Sequence, residues 1–329
     1  MTRPYAFATR DLPGAPWHLV REVAELRVWE GEDAPAHEVL RAEAARAEGL
    51  AVTLVDRVDA RSLEAAARLR VVSSCSMGVD HIDLAAATAR GIAVGHTPGV
   101  LTDATADLTF ALLLAAARRI PEADRTVREG RWLRPWDPQL LLGRELAGAT
   151  LGIVGLGAIG LAVARRAHGF GMRVLGWTRS GRGAPGVEMQ SDLGELLAQS
   201  DFVSVHLARS PETSGLLAAR ELARMKRGAI LVNAARGGIV DERALAEALA
   251  SGHLAAAGLD VFAEEPLPRS SPLLRAPNLV LAPHIGSATH ATRARMAELC
   301  VANLVAGLRG ERLPRCANPE VYRSAAGRG

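Results

Sequence analysis

Short apolar runs alternate along the chain with stretches in which apolar residues recur at helical spacing. Strands buried on both faces of a parallel sheet read as such continuous apolar runs, with a helix between each pair. In the first third, strands are expected at Leu26–Trp29, Ala51–Val55, Val71–Ser74 and Ile92–Val94, and helices over 37–48 and 62–69. A first small α/β unit then closes near Pro98 and Gly99. A long helix follows from Thr102 to Arg119, with Thr102 or Asp103 as its cap and Pro121 just beyond its end. Its centre, Phe110 to Ala117, is apolar nearly all the way round, which places it in a core or against another subunit. After a loop rich in Trp and Pro, a second unit opens with a strand over 150–155. Five more are expected at 173–177, 202–206, 229–233, 255–260 and 279–282, which makes a doubly wound sheet. A last helix, 288–308, leaves this unit and is expected to pack on the first.

Composition narrows the class. A chain of 329 residues suits two domains of about 150 residues each. With 49% hydrophobic and 23% charged residues it has the balance of a soluble globular protein, which excludes wholesale disorder. The longest apolar run, Phe110–Ala117, is less than half of the ~20 residues needed to span a bilayer, so no membrane association is expected. The N-terminal segment has no apolar secretion signal, and a cytoplasmic location follows as an expectation. Cys75, Cys300 and Cys316 are far apart, and no C-x-x-C pair occurs, so neither a disulfide framework nor a metal site is signalled. The net charge is +3, and Lys226 is the only lysine. The arginines are interspersed with Asp and Glu and form no basic block, which sets nucleic acid aside as a partner.

The chemistry begins at Gly155-Leu156-Gly157-Ala158-Ile159-Gly160, a G-x-G-x-x-G that closes a strand and opens a helix. That context makes the motif a dinucleotide fingerprint. Gly155 permits the tight turn, Gly157 lets a pyrophosphate lie against the backbone, and Gly160 lets helix and strand approach. An NAD site commonly carries Asp or Glu about 20 residues on, at the end of the second strand. Here that stretch reads Trp177-Thr178-Arg179-Ser180-Gly181-Arg182, without a carboxylate. Arg179, Ser180 and Arg182 suit a 2′-phosphate instead, so NADPH is the expected cofactor and NADH the alternative.

Three polar residues follow later strand ends: Arg236 after Asn233, Glu265 after Asp260, and His284 after the last strand. Ligands collect at such carboxyl ends in doubly wound sheets. A base, a carboxylate and an arginine are the groups an alcohol–ketone redox reaction requires. His81, His206 and His290 have no such spaced partners and read as structural or peripheral.

In order, GLGAIG, NAARGG, GLDVFAEEP and PHIGSAT resemble the D-isomer-specific 2-hydroxyacid dehydrogenase family over nearly the whole chain, including Gly78 to Asp83. The segments 96–103, 284–293 and 303–310 are similar to its glyoxylate/hydroxypyruvate reductase branch. The resemblance implies two doubly wound α/β domains, Rossmann-like or flavodoxin-like. One would span 1–100, completed by 287–329, and bind substrate; the other, 101–286, would bind the dinucleotide. It further implies that Arg236 holds the substrate carboxylate and keto oxygen, that His284 is the general acid in reduction, and that Glu265 favours its charged form. Backbone N–H groups of Met77, Gly78 and Val79 would bind the substrate carboxylate, with Ser287 near the site. Ala158, Ile159, Leu207, Thr213, Ala234, Ala235, Asp260 and Gly286 would line the cofactor.

Trp136 is the candidate for an aromatic that reaches a neighbouring subunit's pocket, in a homodimer. The implied activity is reduction of glyoxylate and hydroxypyruvate to glycolate and D-glycerate. Another D-2-hydroxyacid dehydrogenase, of D-lactate or D-glycerate type, or a dinucleotide-sensing corepressor of the same fold, stands as the alternative. A formate dehydrogenase would carry glutamine at the place of Glu265.

Overall fold

Every strand pairs parallel to its neighbours in the computed structural model, which describes residues 3–325. The chain forms two compact units, one running to Leu101 and resuming at Ser287, the other spanning Thr102–Gly286.

In the first unit, strands β1 (Tyr5–Ala8), β2 (Glu25–Val28), β3 (Gly49–Val52), β4 (Val71–Ser74) and β5 (Ala93–Gly95) lie in the order 2-1-3-4-5. This is the flavodoxin-like arrangement. Phe7, Leu50 and Val72 from the strands pack with Leu40, Leu63 and Ile92 from the connections. Strand β1 escapes the sequence pattern because four residues beside a proline carry too little periodicity. The third strand ends at Val52 rather than continuing to Val55. The Asp56 carboxylate accepts the Thr53 N–H (2.6 Å) and hydroxyl (2.8 Å) and peels the chain off the sheet, leaving Val55 exposed. The helix expected over 62–69 is shorter and earlier, Ala60–Glu64, because Asp59 caps it by accepting the Ser62 N–H.

The helix His290–Arg309 packs on β3, β4 and β5 and on the helix Trp17–Val23. Small residues make that seat. A Cβ added at Gly49 would meet Leu304, one at Gly95 would meet Asn303, and one at Gly307 would lie 2.4 Å from the Val71 Cβ.

The second unit holds β6 (Thr150–Val154), β7 (Arg173–Trp177), β8 (Glu188–Met189), β9 (Phe202–Val205), β10 (Ile230–Asn233), β11 (Ala256–Leu259) and β12 (Leu279–Leu281), in the order 12-11-10-9-6-7-8. Relative to β6 this is the dinucleotide-binding order 3-2-1-4-5-6, with β12 added at the far edge. The two-residue edge strand β8 is too short for a pattern to reveal.

Strands β6, β9, β10 and β11 are buried at every position, which is why they read as unbroken apolar runs. The apolar helix, Thr102–Ala117, lies in this unit's core against β10, β11 and the helix Ala158–Gly169. Its Phe110 stacks on Phe170 with ring centroids 5.0 Å apart. Thr102 and Asp103 sit in its first turn rather than at its cap. Arg119, in the left-handed region at φ 55°, breaks the helix, and Pro121 opens a second one, Ile120–Arg128. Proline suits that place because a first-turn N–H has no partner to lose.

The seat of helix His290–Arg309 yields a stability test. Gly307→Ala forces a methyl into space held by Val71 and should destabilise the first unit by about 1–3 kcal/mol. Denaturant unfolding of the purified variant beside wild type measures this, and an unchanged midpoint would contradict the tight seat.

Candidate active site and dinucleotide cleft

Strand β6 leads into Gly155, whose φ of 101° is open to glycine and strained for other residues. A Cβ there would lie 2.5 Å from the His206 carbonyl oxygen, so the turn presses against the end of β9. At Gly160 a Cβ would lie 2.1 Å from the Gly155 oxygen, which leaves helix and strand no room for a side chain. Around Gly157 the position of a Cβ is open, with nothing within 4 Å. The three glycines thus divide into two that close the fold and one that leaves space above the backbone. Gly157 is also the N-cap of the helix Ala158–Gly169 and makes no side-chain cap, so its first-turn N–H groups, including those of Ala158 and Ile159, stay available. A helix start of this kind favours an anion.

A cleft of about 810 Å³ opens over this turn, lined by Gly155, Gly157, Ala158, Thr178, Arg179, Ser180, Arg182 and Leu207 among others, with no carboxylate in its wall. The residues therefore fit a dinucleotide. Arg179 lies 3.7 Å from Glu212, both largely exposed, and Ser180 accepts the Arg182 N–H at 3.4 Å. Thr213 is occupied within its own loop, donating to the Ala208 oxygen at 2.8 Å. His206 also lines the cleft. Burial pushes its imidazole down to about 3, and its Nε2 shares a hydrogen bond with Ser204 (2.7 Å), so it is a neutral wall. His81 bonds to Ser74 at 3.0 Å, and His290 opens the helix His290–Arg309.

The same sheet edge carries the second group. After β10, the buried Asn233 donates to the Arg236 oxygen (2.9 Å) and accepts from the Ala235 N–H (3.1 Å), which fixes the loop over Ala234, Ala235 and Arg236. A Cβ at Gly237 would lie 1.7 Å from the Phe262 oxygen, so this loop abuts the one that follows β11. In that second loop Glu265 accepts the Phe262 N–H at 2.9 Å and binds His284 Nδ1 through its other oxygen at 2.7 Å.

Burial pushes the Glu265 carboxyl up, but the hydrogen bonds from His284 and Phe262 and the charges of His284 and Arg236 outweigh it. The group is held below its ordinary value. It is therefore ionised near neutrality and takes the proton on Nδ1, which leaves Nε2 of His284 for a ligand. The stability it lends is present above the ordinary carboxylate range and lost as pH falls through its lowered folded value.

His284 itself sits in the left-handed region, at φ 54°. Its N–H donates to the Asp260 and Ala282 oxygens. The buried Asp260 carboxylate accepts the N–H groups of Ile285 (2.7 Å) and Gly286 (2.8 Å), clamping the turn that carries the imidazole. Burial raises the Asp260 carboxyl in spite of those bonds.

Sequence reasoning named Asp260 for the cofactor; the hydrogen bonds give it a part in holding His284. It missed Asn233 altogether. An asparagine ending a strand just before the loop of interest was the available signal.

In the first unit, the loop Met77-Gly78-Val79 follows β4 and is half-buried. Among the described residues, none of its three N–H groups meets an acceptor. Ser287 stands in that unit, its carbonyl accepting the Thr289 N–H at 2.9 Å. Trp136 is 80% exposed.

Among the described residues no helix is long and apolar enough to cross a membrane. A family model described as the NAD binding domain of D-isomer-specific 2-hydroxyacid dehydrogenases matches residues 110–286. A glyoxylate reductase of Korarchaeum cryptofilum is 48% identical over 98% of this chain and 98% of its own length. Another, from Thermococcus litoralis, is 45% identical over 98% and 99%. Among solved structures, a protein of Thermus thermophilus superposes with a TM-score of 0.89 at 51% identity, covering 95% of this chain and 99% of that one. The NADPH-dependent glyoxylate/hydroxypyruvate reductase of Sinorhizobium meliloti, solved with NADP and malonate, gives 0.86 at 33%, covering 97% and 98%. The chain is thus an oxidoreductase with a nicotinamide-dinucleotide domain, and it belongs to the D-isomer-specific 2-hydroxyacid dehydrogenase family, in its glyoxylate reductase branch.

Proposed function

We propose that the protein reduces glyoxylate and hydroxypyruvate to glycolate and D-glycerate with NADPH, with His284 as the general acid. The observation that carries this reading is the 2.7 Å bond between His284 Nδ1 and an ionised Glu265, which leaves Nε2 for the substrate oxygen. When bound, the reduced nicotinamide supplies the hydride taken up by the carbonyl carbon. His284 gives its Nε2 proton to the oxygen as negative charge develops there. Glu265 stabilises the imidazolium before that transfer and holds the ring in place. Arg236 offers a planar pair of donors to the substrate carboxylate and draws density from the keto oxygen. The N–H groups of Met77, Gly78 and Val79 are suited to a carboxylate. Turnover with a small 2-oxo acid separates this activity from a dinucleotide-sensing corepressor of the same fold.

NADPH is favoured by a cleft whose wall holds Arg179 and Arg182 and no carboxylate to accept ribose hydroxyls. Homodimer assembly is supported by the exposed apolar side chains of Ile120, Val127, Trp132, Leu133, Trp136 and Leu142. The compartment proposed is the cytoplasm.

Steady-state oxidation of NADPH with each 2-oxo acid tests the reading. His284→Ala should lower kcat about 10²–10⁴-fold while dinucleotide binding persists. Retained turnover would remove His284 from the mechanism, and a wild type inert toward both acids would remove the substrates.

Glu265→Gln takes away the charge that favours the imidazolium, so the alkaline limb of kcat/KM for reduction should move to lower pH. An unmoved limb would leave Glu265 with a packing role only. For the cofactor, Arg179→Gln combined with Arg182→Gln should raise KM for NADPH about tenfold or more and that for NADH less than about twofold. Equal effects on both would place the 2′-phosphate elsewhere.

A further inference from the structure

In the first unit, a second cavity of about 480 Å³ has Arg312, Arg315, Arg323, His96 and Tyr322 in its wall and no Asp or Glu. Elsewhere in the chain Arg27, Arg68, Arg166 and Arg173 all meet carboxylates. Arg312 lies over the Tyr322 ring, 5.3 Å from its centroid, and an Arg315 guanidinium nitrogen reaches only the Pro314 oxygen, at 3.3 Å. Among the described residues, none of the three arginines is in an ion pair. Three like charges around one concavity repel each other, and an anion between them would relieve that repulsion.

The wall is built rather than loose. The buried Asn303 accepts the Arg315 N–H (2.9 Å) and donates to the His96 oxygen (3.0 Å), while the His96 N–H donates to the Arg315 oxygen (3.2 Å). The Tyr322 hydroxyl accepts the Leu313 N–H at 2.9 Å, which fixes the aromatic floor. His96 Nδ1 lies 2.9 Å from the Met77 oxygen. A carbonyl only accepts, so Nδ1 carries the proton, and Nε2 is left without a partner among the described residues. One histidine thus joins the cavity to the loop of Met77, Gly78 and Val79.

We propose that this cavity binds a small soluble phosphate ester or pyrophosphate, and that its occupancy is felt at the Met77 loop through His96. Three guanidinium groups match a phosphate dianion better than a singly charged carboxylate, and each presents paired donors to its oxygens. The volume falls within the range of small-molecule sites, about 300–1,000 Å³. The anion site stands apart from the proposed activity; only an effect of the loop on turnover would rest on that reading.

Calorimetric titration with inorganic pyrophosphate tests the site on wild type, on R312Q/R315Q and on R179Q/R182Q, with melting temperatures confirming that all three are folded. A saturable site weakened at least tenfold in R312Q/R315Q and kept in R179Q/R182Q is expected beside any binding at the Gly157 turn, and binding unchanged in R312Q/R315Q would overturn the proposal. Absence of saturation would overturn the site, and loss confined to R179Q/R182Q would assign the binding to the dinucleotide cleft. Hydrogen exchange of the peptide that spans 74–82 should slow with pyrophosphate in wild type and not in R312Q/R315Q. Unchanged exchange in wild type would overturn the link to the loop.

Discussion

Parallel strands connected by helices all end on one edge of their sheet, and the chemistry of the second unit depends on that constraint. The ends of β6 and β9 bring Gly155 against His206, and the loops after β10, β11 and β12 bring Arg236, Glu265 and His284 together. Gly155 and His206, like Gly237 and Phe262, become neighbours because each crossover returns the chain to the far edge before the next strand begins. The strands themselves contribute rigidity. Strands β6, β9, β10 and β11 are buried at every position, so the groups of the proposed site stand in the loops that leave them.

Loops carry less intrinsic order than strands, and here each has its own anchor. Asn233 satisfies both sides of the Arg236 turn, and Gly237 lets that turn touch the backbone at Phe262. Asp260 accepts two successive N–H groups beyond His284 and helps hold a histidine in a backbone region that L residues seldom occupy. Two carboxylates near one imidazole are treated differently by their surroundings. Glu265 gains more from His284, Phe262 and Arg236 than burial costs it, whereas Asp260 is buried more deeply and is raised. The first orients and stabilises charge; the second fixes backbone.

Both units solve their packing with small residues where large ones would force layers apart. The Phe110–Ala117 part of helix Thr102–Ala117 has no polar face because the helix lies in the core of its unit, on β10 and β11. Helix His290–Arg309 approaches β4 closely enough that Gly307 touches Val71 without a side chain between them. A chain rich in alanine and glycine thus buries backbone close to backbone, and dispersion over those contacts replaces the volume that bulkier side chains would fill.

By itself the sequence determined the two α/β units and the glycine turn, and it named Arg236, Glu265 and His284 as candidates. Each is written locally, as an apolar run, a glycine spacing or a short motif at a strand end. Tertiary structure alone decided the strand orders, the inner strand β1, the edge strand β8, the early end of β3 and the second helix after Arg119. Those depend on which hydrogen bonds a neighbour offers, as Asp56 does to Thr53, and pattern carries no record of that. The depressed Glu265, the neutral His206, the roles of Asn233 and Asp260 and the carboxylate-free arginine cavity belong to the same class. Charge and hydrogen bonding act through space over a few ångströms, and only the folded chain says which residues lie that close.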